Sequence, residues 1–146
     1  MTFDTVAATA HYIDGLGAEA LAKAAAYTHG GHWLLLWGLL VTALVTWLIV
    51  RSGVLQRVDR RLSGRGPNLR ALVLGIVFFL LSALLSLPWT LYENWWRETS
   101  YGRTSQPLAD FLGQGLVALL LSAVLGALFM MGVYALIRRT ARTWWV

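Results

Sequence analysis

The stretch that decides the fold is WLLLWGLLVTALVTWLIV, residues 33–50, which carries no charged side chain. A helix over this stretch is about 27 Å long, close to the thickness of the bilayer hydrocarbon. Two further runs, residues 71–87 and 112–137, are also apolar and uncharged. A segment inside lipid must satisfy its own backbone hydrogen bonds, and these runs lack the alternation of barrel strands. The sequence therefore predicts an all-α integral membrane protein with three transmembrane helices.

The composition excludes other classes of protein. Of the 146 residues, 58% are hydrophobic and 13% are charged, whereas about a quarter of an average soluble domain is charged. Disordered chains are poor in apolar and aromatic residues, so disorder is excluded as well. The chain has no cysteine, which excludes a disulfide scaffold, a thiolate metal site and cysteine-based catalysis.

The basic and the acidic residues lie in different segments of the chain relative to the three spans. The segment between the first two spans and the tail after the third contain nine of the twelve basic residues, namely Arg51, Arg57, Arg60, Arg61, Arg65, Arg70, Arg138, Arg139 and Arg142. The remaining segments contain six of the seven acids, namely Asp4, Asp14, Glu19, Glu93, Glu98 and Asp110. The positive-inside rule therefore predicts a cytoplasmic C-terminus and an outer N-terminus.

The same distribution bears on the partners of the chain. A net charge of +5 can indicate nucleic-acid binding, but here the basic residues lie between apolar runs and form no stripe on a polar face. We therefore expect the lipid bilayer as a partner and no nucleic acid.

Residues 1–32 are predicted to form an outer tail or an interfacial helix, and residues 33–146 the membrane domain. The first segment has no basic start and is rich in alanine, so it is not a signal peptide. Gly30 and Gly31 separate His29 from His32 and argue against a rigid helix at that point. Two histidines alone are a weak indication of a metal site.

The spans contain no group that is ionisable near neutral pH. Pumps, transporters and intramembrane aspartyl proteases need such groups inside the membrane, so these functions are disfavoured. Small residues recur at helix-packing distances instead. The candidate packing residues are Gly75 and Ser82 in the second span and Ala118, Ser122 and Gly126 in the third.

The most distinctive stretch is the connection between the second and third spans. We call residues 87–115 the aromatic connection. Pro88 is expected to stop or kink the second helix near the membrane surface. Trp89, Tyr92, Trp95 and Trp96 follow at spacings of three, three and one, which indicates one aromatic face on a helix that can continue past the proline. These rings are typical interface anchors, and a wall that faces a substrate is the alternative for Trp95 and Trp96.

A turn and a new helix start complete the connection. Tyr101 and Gly102 form a turn signal. Pro107 and Asp110 precede the third apolar run, and this is a typical start of a helix.

At these residues the chain resembles the N-terminal membrane region of the CAAX prenyl protease family, which are integral-membrane zinc metallopeptidases. The family pattern has Leu-Pro and an aromatic, then a Tyr, a Glu, an aromatic-Gly pair and a Gln or Thr before the next span. The candidate structural or chamber-lining residues are Pro88, Trp89, Tyr92, Trp95, Arg97, Glu98, Tyr101, Gly102 and Gln106. Arg103 and Thr104 depart from the Phe-Asn that often follows the glycine.

The resemblance implies a chamber in the membrane, surrounded by helices, and a zinc ion held by HExxH on a later helix and by a downstream Glu. This sequence contains no HExxH, so no zinc site is expected in this chain, and we expect it to be inactive alone. The resemblance implies the front part of a bacterial inner-membrane zinc metalloendopeptidase, which supplies chamber walls and an outer loop. Residues 143–146, Thr-Trp-Trp-Val, are expected to enter a fourth span.

Two partners remain possible from the sequence, and they correspond to two functions. The first is a catalytic metallopeptidase part or further membrane helices that complete the protease. The alternative is a stand-alone three-span membrane protein that acts as a scaffold or as a regulatory partner of another protein.

The predicted orientation is tested by a reporter that is fluorescent or active on only one side of the membrane. Fused after Val146, a cytoplasm-specific reporter is expected to be active, because the arginine-rich segments are retained on the cytoplasmic side. A fusion that is active only on the outer side contradicts the assignment.

Overall fold

The structure, a computed structural model, describes residues 4–140 and is all-helical over that range. Helix accounts for 88% of these residues, and no strand occurs among them. The elements are α1 (Thr5–Gly15), α2 (Gly17–Ser52), α3 (Val54–Arg61), α4 (Pro67–Leu91), a π-helical turn (Tyr92–Trp96), α5 (Arg97–Ser100) and α6 (Leu108–Arg139). Three helical stretches, Gly17–Ser52, Pro67–Ser100 and Leu108–Arg139, are long and apolar enough to cross a membrane. The predicted fold class and the three spans are confirmed.

The chain divides into two compact units, Met1–Gly38 and Leu39–Val146. In the first unit, the side chain of Asp4 caps α1 by accepting hydrogen bonds from the backbone N–H groups of Val6 (3.0 Å) and Ala7 (3.2 Å). Such caps satisfy N–H groups that have no partner within the helix. The left-handed backbone of Gly17, with φ of 79°, separates α1 from α2.

The expectation that Gly30 and Gly31 prevent a rigid helix is wrong. α2 is continuous from Gly17 to Ser52, and the rings of His29 and His32 lie edge to face with centroids 6.5 Å apart. A glycine inside a helix costs about 1 kcal/mol, which the alanine-rich and leucine-rich stretches on either side offset. The 36 residues of α2 exceed the roughly 20 that a span needs. The division between residues 1–32 and 33–146 stays a prediction.

An ion pair joins α3 to the start of α4 in the arginine-rich segment, residues 51–70. The Arg70 guanidinium on α4 donates through Nε to Oδ1 of Asp59 at 2.9 Å and through Nη2 to Oδ2 at 2.6 Å. Asp59 lies on α3, and Pro67 begins α4 at a position where its missing N–H costs no hydrogen bond. The bidentate geometry ties α3 to the start of α4.

α4 and α6 pack closely because small residues meet at their contact. A Cβ added to Gly75 would lie 2.9 Å from the Cβ of Ala127 and 3.0 Å from its Cα. The Phe79 ring lies over Gly126, and Ala123 and Ala127 are buried. Because Gly75 and Gly126 have no side chain and the two alanines have only a methyl group, the two helix backbones approach each other closely.

The other predicted packing residues lie elsewhere on the same helices. Ser82 on α4 is half-buried, whereas Ala118 and Ser122 on α6 are exposed. The two buried alanines of α6 each follow a predicted packing residue by one position. The exposed pair is therefore available to a further helix.

Of the two outcomes expected at Pro88, the helix does not stop there, and the expected continuation past the proline is confirmed. α4 continues to Leu91, and the π-helical turn and α5 carry the helical path to Ser100. Proline removes one backbone donor, and membrane helices tolerate this when other groups satisfy the freed backbone atoms. The predicted start of the third helix is confirmed, since Pro107 is the N-cap of α6 and Asp110 lies in its first turn.

Two predictions fall on residues 141–146, namely the cytoplasmic charge at Arg142 and the fourth span at 143–146. Both lie outside the described residues.

The close contact between α4 and α6 predicts that Gly75→Ala destabilises the protein. The added methyl group meets both the side chain and the backbone of Ala127, and overpacking of this kind costs about 1–3 kcal/mol. Thermal unfolding in detergent measures the effect. Gly132→Ala is the matched control, because nothing lies within 4 Å of the added Cβ. Equal melting temperatures for the two variants would refute the packing role of Gly75.

Candidate functional site

The residues of the predicted site lie at the junction of α4 and α6. Pro88 and Trp89 belong to the last turns of α4, and the π-helical turn contains Tyr92 and Trp95. Arg97 and Glu98 begin α5, after which the chain turns and returns to α6 through residues 101–107. A π-helical turn is rare and is frequently found at functional sites.

Three aromatic rings contact one another in sequence along this helical path, the first pair tilted by 41° and the second stacked. The Trp89 and Tyr92 ring centroids are 5.8 Å apart, and the Tyr92 and Trp96 rings stack at 5.4 Å with an angle of 19°. Tyr92 and Trp96 are 44% and 54% exposed. The predicted aromatic face is therefore present over Trp89, Tyr92 and Trp96.

Trp95 points to the returning chain instead. Its indole N–H donates a hydrogen bond of 3.0 Å to the backbone carbonyl of Gln106. Gln106 is held further by its own N–H, which donates to the Thr104 hydroxyl at 3.1 Å. The indole thereby fixes the last residues of the loop before α6.

Arg97 is the buried charge of the site, with 8% of its surface exposed. Its guanidinium lies 3.6 Å from a Glu98 carboxylate oxygen and 5.5 Å from the centre of the Tyr101 ring. A buried guanidinium needs such partners because loss of its hydration is costly, and stacking on an aromatic face favours arginine over lysine. The family-pattern residues Arg97, Glu98 and Tyr101 therefore act as one cluster.

Glu98 joins this cluster to the loop. Its second carboxylate oxygen accepts a hydrogen bond of 3.1 Å from Nε of Arg103, so one carboxylate lies between two guanidinium groups. Arg103 is one of the two residues, with Thr104, at which the sequence is expected to depart from the family pattern. The structure gives this arginine a local ion-pair partner.

The turn after α5 is a Schellman motif centred on Gly102. The N–H of Arg103 donates to the carbonyl of Glu98 at 2.8 Å, and the N–H of Gly102 donates to that of Thr99 at 3.0 Å. Gly102 has φ of 73°, a conformation that side chains disfavour. The predicted Tyr101-Gly102 turn is confirmed, and it directs the chain from α5 toward α6.

These contacts order the connection, and they provide no catalytic metal centre. Among residues 4–140, no group of three or more His, Cys, Asp or Glu side chains is placed to hold a metal ion. Every buried side-chain nitrogen and oxygen in that range has a hydrogen-bond partner.

Comparison with protein families identifies the class of the chain. The family model described as CAAX prenyl protease N-terminal, five membrane helices, matches residues 7–146. The chain belongs to the CAAX prenyl protease N-terminal family. Comparisons with curated proteins and with solved structures gave no match. The family description has five membrane helices, and residues 4–140 of this member contain three helices long enough to span.

Sequence reasoning missed several contacts of this family member. The pairing of Trp95 with Gln106 depends on the π-helical turn, which no spacing rule predicted. The sequence contained a weak indication of the ion pair between Glu98 and Arg103, because these opposite charges lie on either side of the predicted turn. The ion pair of Asp59 with Arg70 was also missed, and the position of Asp59 as the one acid in residues 51–70 is the signal that could have indicated it.

Loss of the indole donor at Trp95 is expected to loosen the loop. Trp95→Phe keeps the aromatic body and removes the hydrogen bond to Gln106, which is worth about 0.5–1.5 kcal/mol. In detergent, cleavage by trypsin after the exposed Arg103 should accelerate about 2- to 12-fold if cleavage follows local opening.

Trp96→Phe is the matched control, because its ring stacks on Tyr92 and a phenyl ring preserves that contact. Cleavage of this variant should stay near the wild-type rate. If Trp96→Phe accelerates cleavage as much as Trp95→Phe, the Trp95 hydrogen bond does not hold the loop.

Proposed function

We propose that this chain is the membrane-embedded N-terminal domain of a zinc metalloendopeptidase. It supplies walls of an intramembrane chamber and, through the aromatic connection, an outer loop. The chain does not hydrolyse peptides alone, and a catalytic metallopeptidase part carries the zinc. The observation that supports this function best is the family match over residues 7–146.

The aromatic connection supports the proposal because its internal contacts engage the residues that follow the family pattern. Trp95 bonds Gln106, and Arg97 lies against Glu98 and Tyr101. A loop ordered by its own side chains offers a partner a preformed surface, which lowers the entropic cost of association. The exposed rings of Tyr92 and Trp96 are the contact surface we assign to the catalytic part.

An exposed strip on α6 supplies a second contact surface. Ala118 and Ser122 are exposed, and Ala118 lines a shallow depression of about 420 Å³ together with Gly113, Gln114, Val117 and Leu121. Small side chains allow another helix to approach closely. We propose that a helix of the catalytic part packs here.

Zinc chemistry does not fit the residues present in this part of the chain. Residues 4–140 place no three metal-binding side chains together, and the sequence has no HExxH. No catalytic step is therefore assigned to a residue of this chain. Its proposed role is to position the substrate-facing wall, with Trp95 and Trp96 as the candidate lining.

We place the domain in a bacterial inner membrane, with the N-terminus and the aromatic connection outside and the C-terminus in the cytoplasm. The arginines of α3 and of the start of α4 support this orientation through the positive-inside rule. The exposed aromatic side chains of the connection are consistent with a position at the headgroup level.

A stand-alone three-span scaffold or regulatory protein is the second candidate. The exposed strip at Ala118 and Ser122 favours it, because such a strip serves association with any membrane protein. The identity of the partner separates the two functions.

Cross-linking in native membranes, followed by affinity capture and mass spectrometry, tests the proposed function. The expected partner bears an HExxH motif. Ala118→Leu should reduce its recovery about tenfold, because the larger side chain blocks helix approach. Ala43→Leu, at an exposed position on α2, is the matched control and should leave recovery unchanged.

Two results would contradict the proposal. A captured partner that lacks HExxH favours the scaffold function. Zinc-dependent peptide hydrolysis by the purified chain alone overturns the assignment of catalysis to another part.

A further inference from the structure

The proposed function does not use a groove in the second unit, which lies at the end where the arginines of α3, α4 and α6 are found. It lies between α3, the start of α4 and the end of α6, and its volume is about 860 Å³. This volume is in the range of pockets that bind small molecules, about 300–1,000 Å³. Its lining separates into a charged mouth and an apolar body.

Three arginines and one carboxylate form the mouth. They are Arg60 on α3, Arg70 on α4, Arg138 in the last turn of α6, and Asp59. Arg70 binds both carboxylate oxygens of Asp59, so this carboxylate is already neutralised. The mouth therefore has an excess of two positive charges.

Two of these arginines are available to an anion. Arg138 donates from Nη2 to the side-chain carbonyl of Asn68, which uses one of five guanidinium donors. Arg60 is exposed and has no acidic partner among residues 4–140. Guanidinium groups bind phosphate in bidentate geometry.

The apolar body continues from this mouth along the helices. Leu74, Phe78 and Phe79 of α4 and Met130 of α6 line it. Leu74 is four residues beyond Arg70, and Phe78 is eight beyond it, which corresponds to about 6 and 12 Å along a helix. The lining thus changes from cationic to apolar over a distance that matches a lipid headgroup followed by the start of its acyl chain.

We propose that this groove binds one anionic phospholipid. Its phosphate lies between Arg60 and Arg138, and an acyl chain follows Leu74, Phe78 and Met130. Basic pockets between transmembrane helices bind anionic headgroups. A helix of a partner would cover the apolar body but leave the cationic mouth without a counter-charge, so charge complementarity favours the lipid.

The test measures lipid binding to the full 146-residue chain in detergent by native mass spectrometry. The probes are phosphatidylglycerol and phosphatidylcholine with identical acyl chains. Phosphatidylglycerol is expected to bind about tenfold or more tightly than phosphatidylcholine, because its headgroup lacks the choline cation. Equal binding of the two lipids overturns the proposal.

Matched double variants separate the groove from the general surface charge. Arg60→Gln with Arg138→Gln should weaken phosphatidylglycerol binding about tenfold or more. Arg57→Gln with Arg65→Gln removes the same charge from exposed positions that do not line the groove and should change it less than about twofold. Equal losses in the two double variants overturn the proposal.

Two further measurements test the apolar body and the identity of the ligand. Leu74→Trp fills the groove while leaving all its charges, so it should weaken phosphatidylglycerol binding, and unchanged binding overturns the proposal. Inorganic phosphate at the same concentration should not displace the lipid. Full displacement by phosphate would overturn the proposal, because the groove would then bind an anion without recognising the acyl chain.

Discussion

The rest of the structure depends on the absence of hydrogen-bond partners for the backbone inside lipid. Each spanning segment must satisfy its own N–H and C=O groups, and this favours continuous helices even where the local sequence disfavours them. α2 continues through Gly30 and Gly31, and α4 continues through Pro88. Since charged groups are costly in the hydrocarbon, the polar contacts concentrate at the helix ends. The aromatic connection and the arginine-rich groove are the two places where they meet.

The two ends differ in how their charges are used. At the aromatic connection, Arg97 is buried against Glu98 and Tyr101, so its charge stabilises the loop. At the arginine-rich end, Asp59 neutralises only Arg70. The charges of Arg60 and Arg138 are the ones we assign to binding an anion. The first end contains the residues that we assign to the proposed protease function. The second end, where an excess of positive charge opens into an apolar groove, is the proposed lipid site.

The sequence predicted the fold class well because the length of each apolar, uncharged run, such as residues 33–50 and 71–87, can be read directly. It predicted the turn at Gly102 and the start of α6 near Pro107, since both depend on local backbone preferences. It missed the continuity of α2 at Gly30 and Gly31, where the flanking helix outweighs the local cost of glycine. It also missed the hydrogen bond from Trp95 to Gln106, because a π-helical turn shifts side-chain directions in a way that no periodic pattern encodes.

The central claim is that this domain enables catalysis which it does not perform. The most direct measurement is zinc-dependent peptide hydrolysis in proteoliposomes that contain the HExxH partner with or without this chain. We expect hydrolysis by the pair, and little by either component alone. Equal hydrolysis by the HExxH partner with and without this chain would contradict the account.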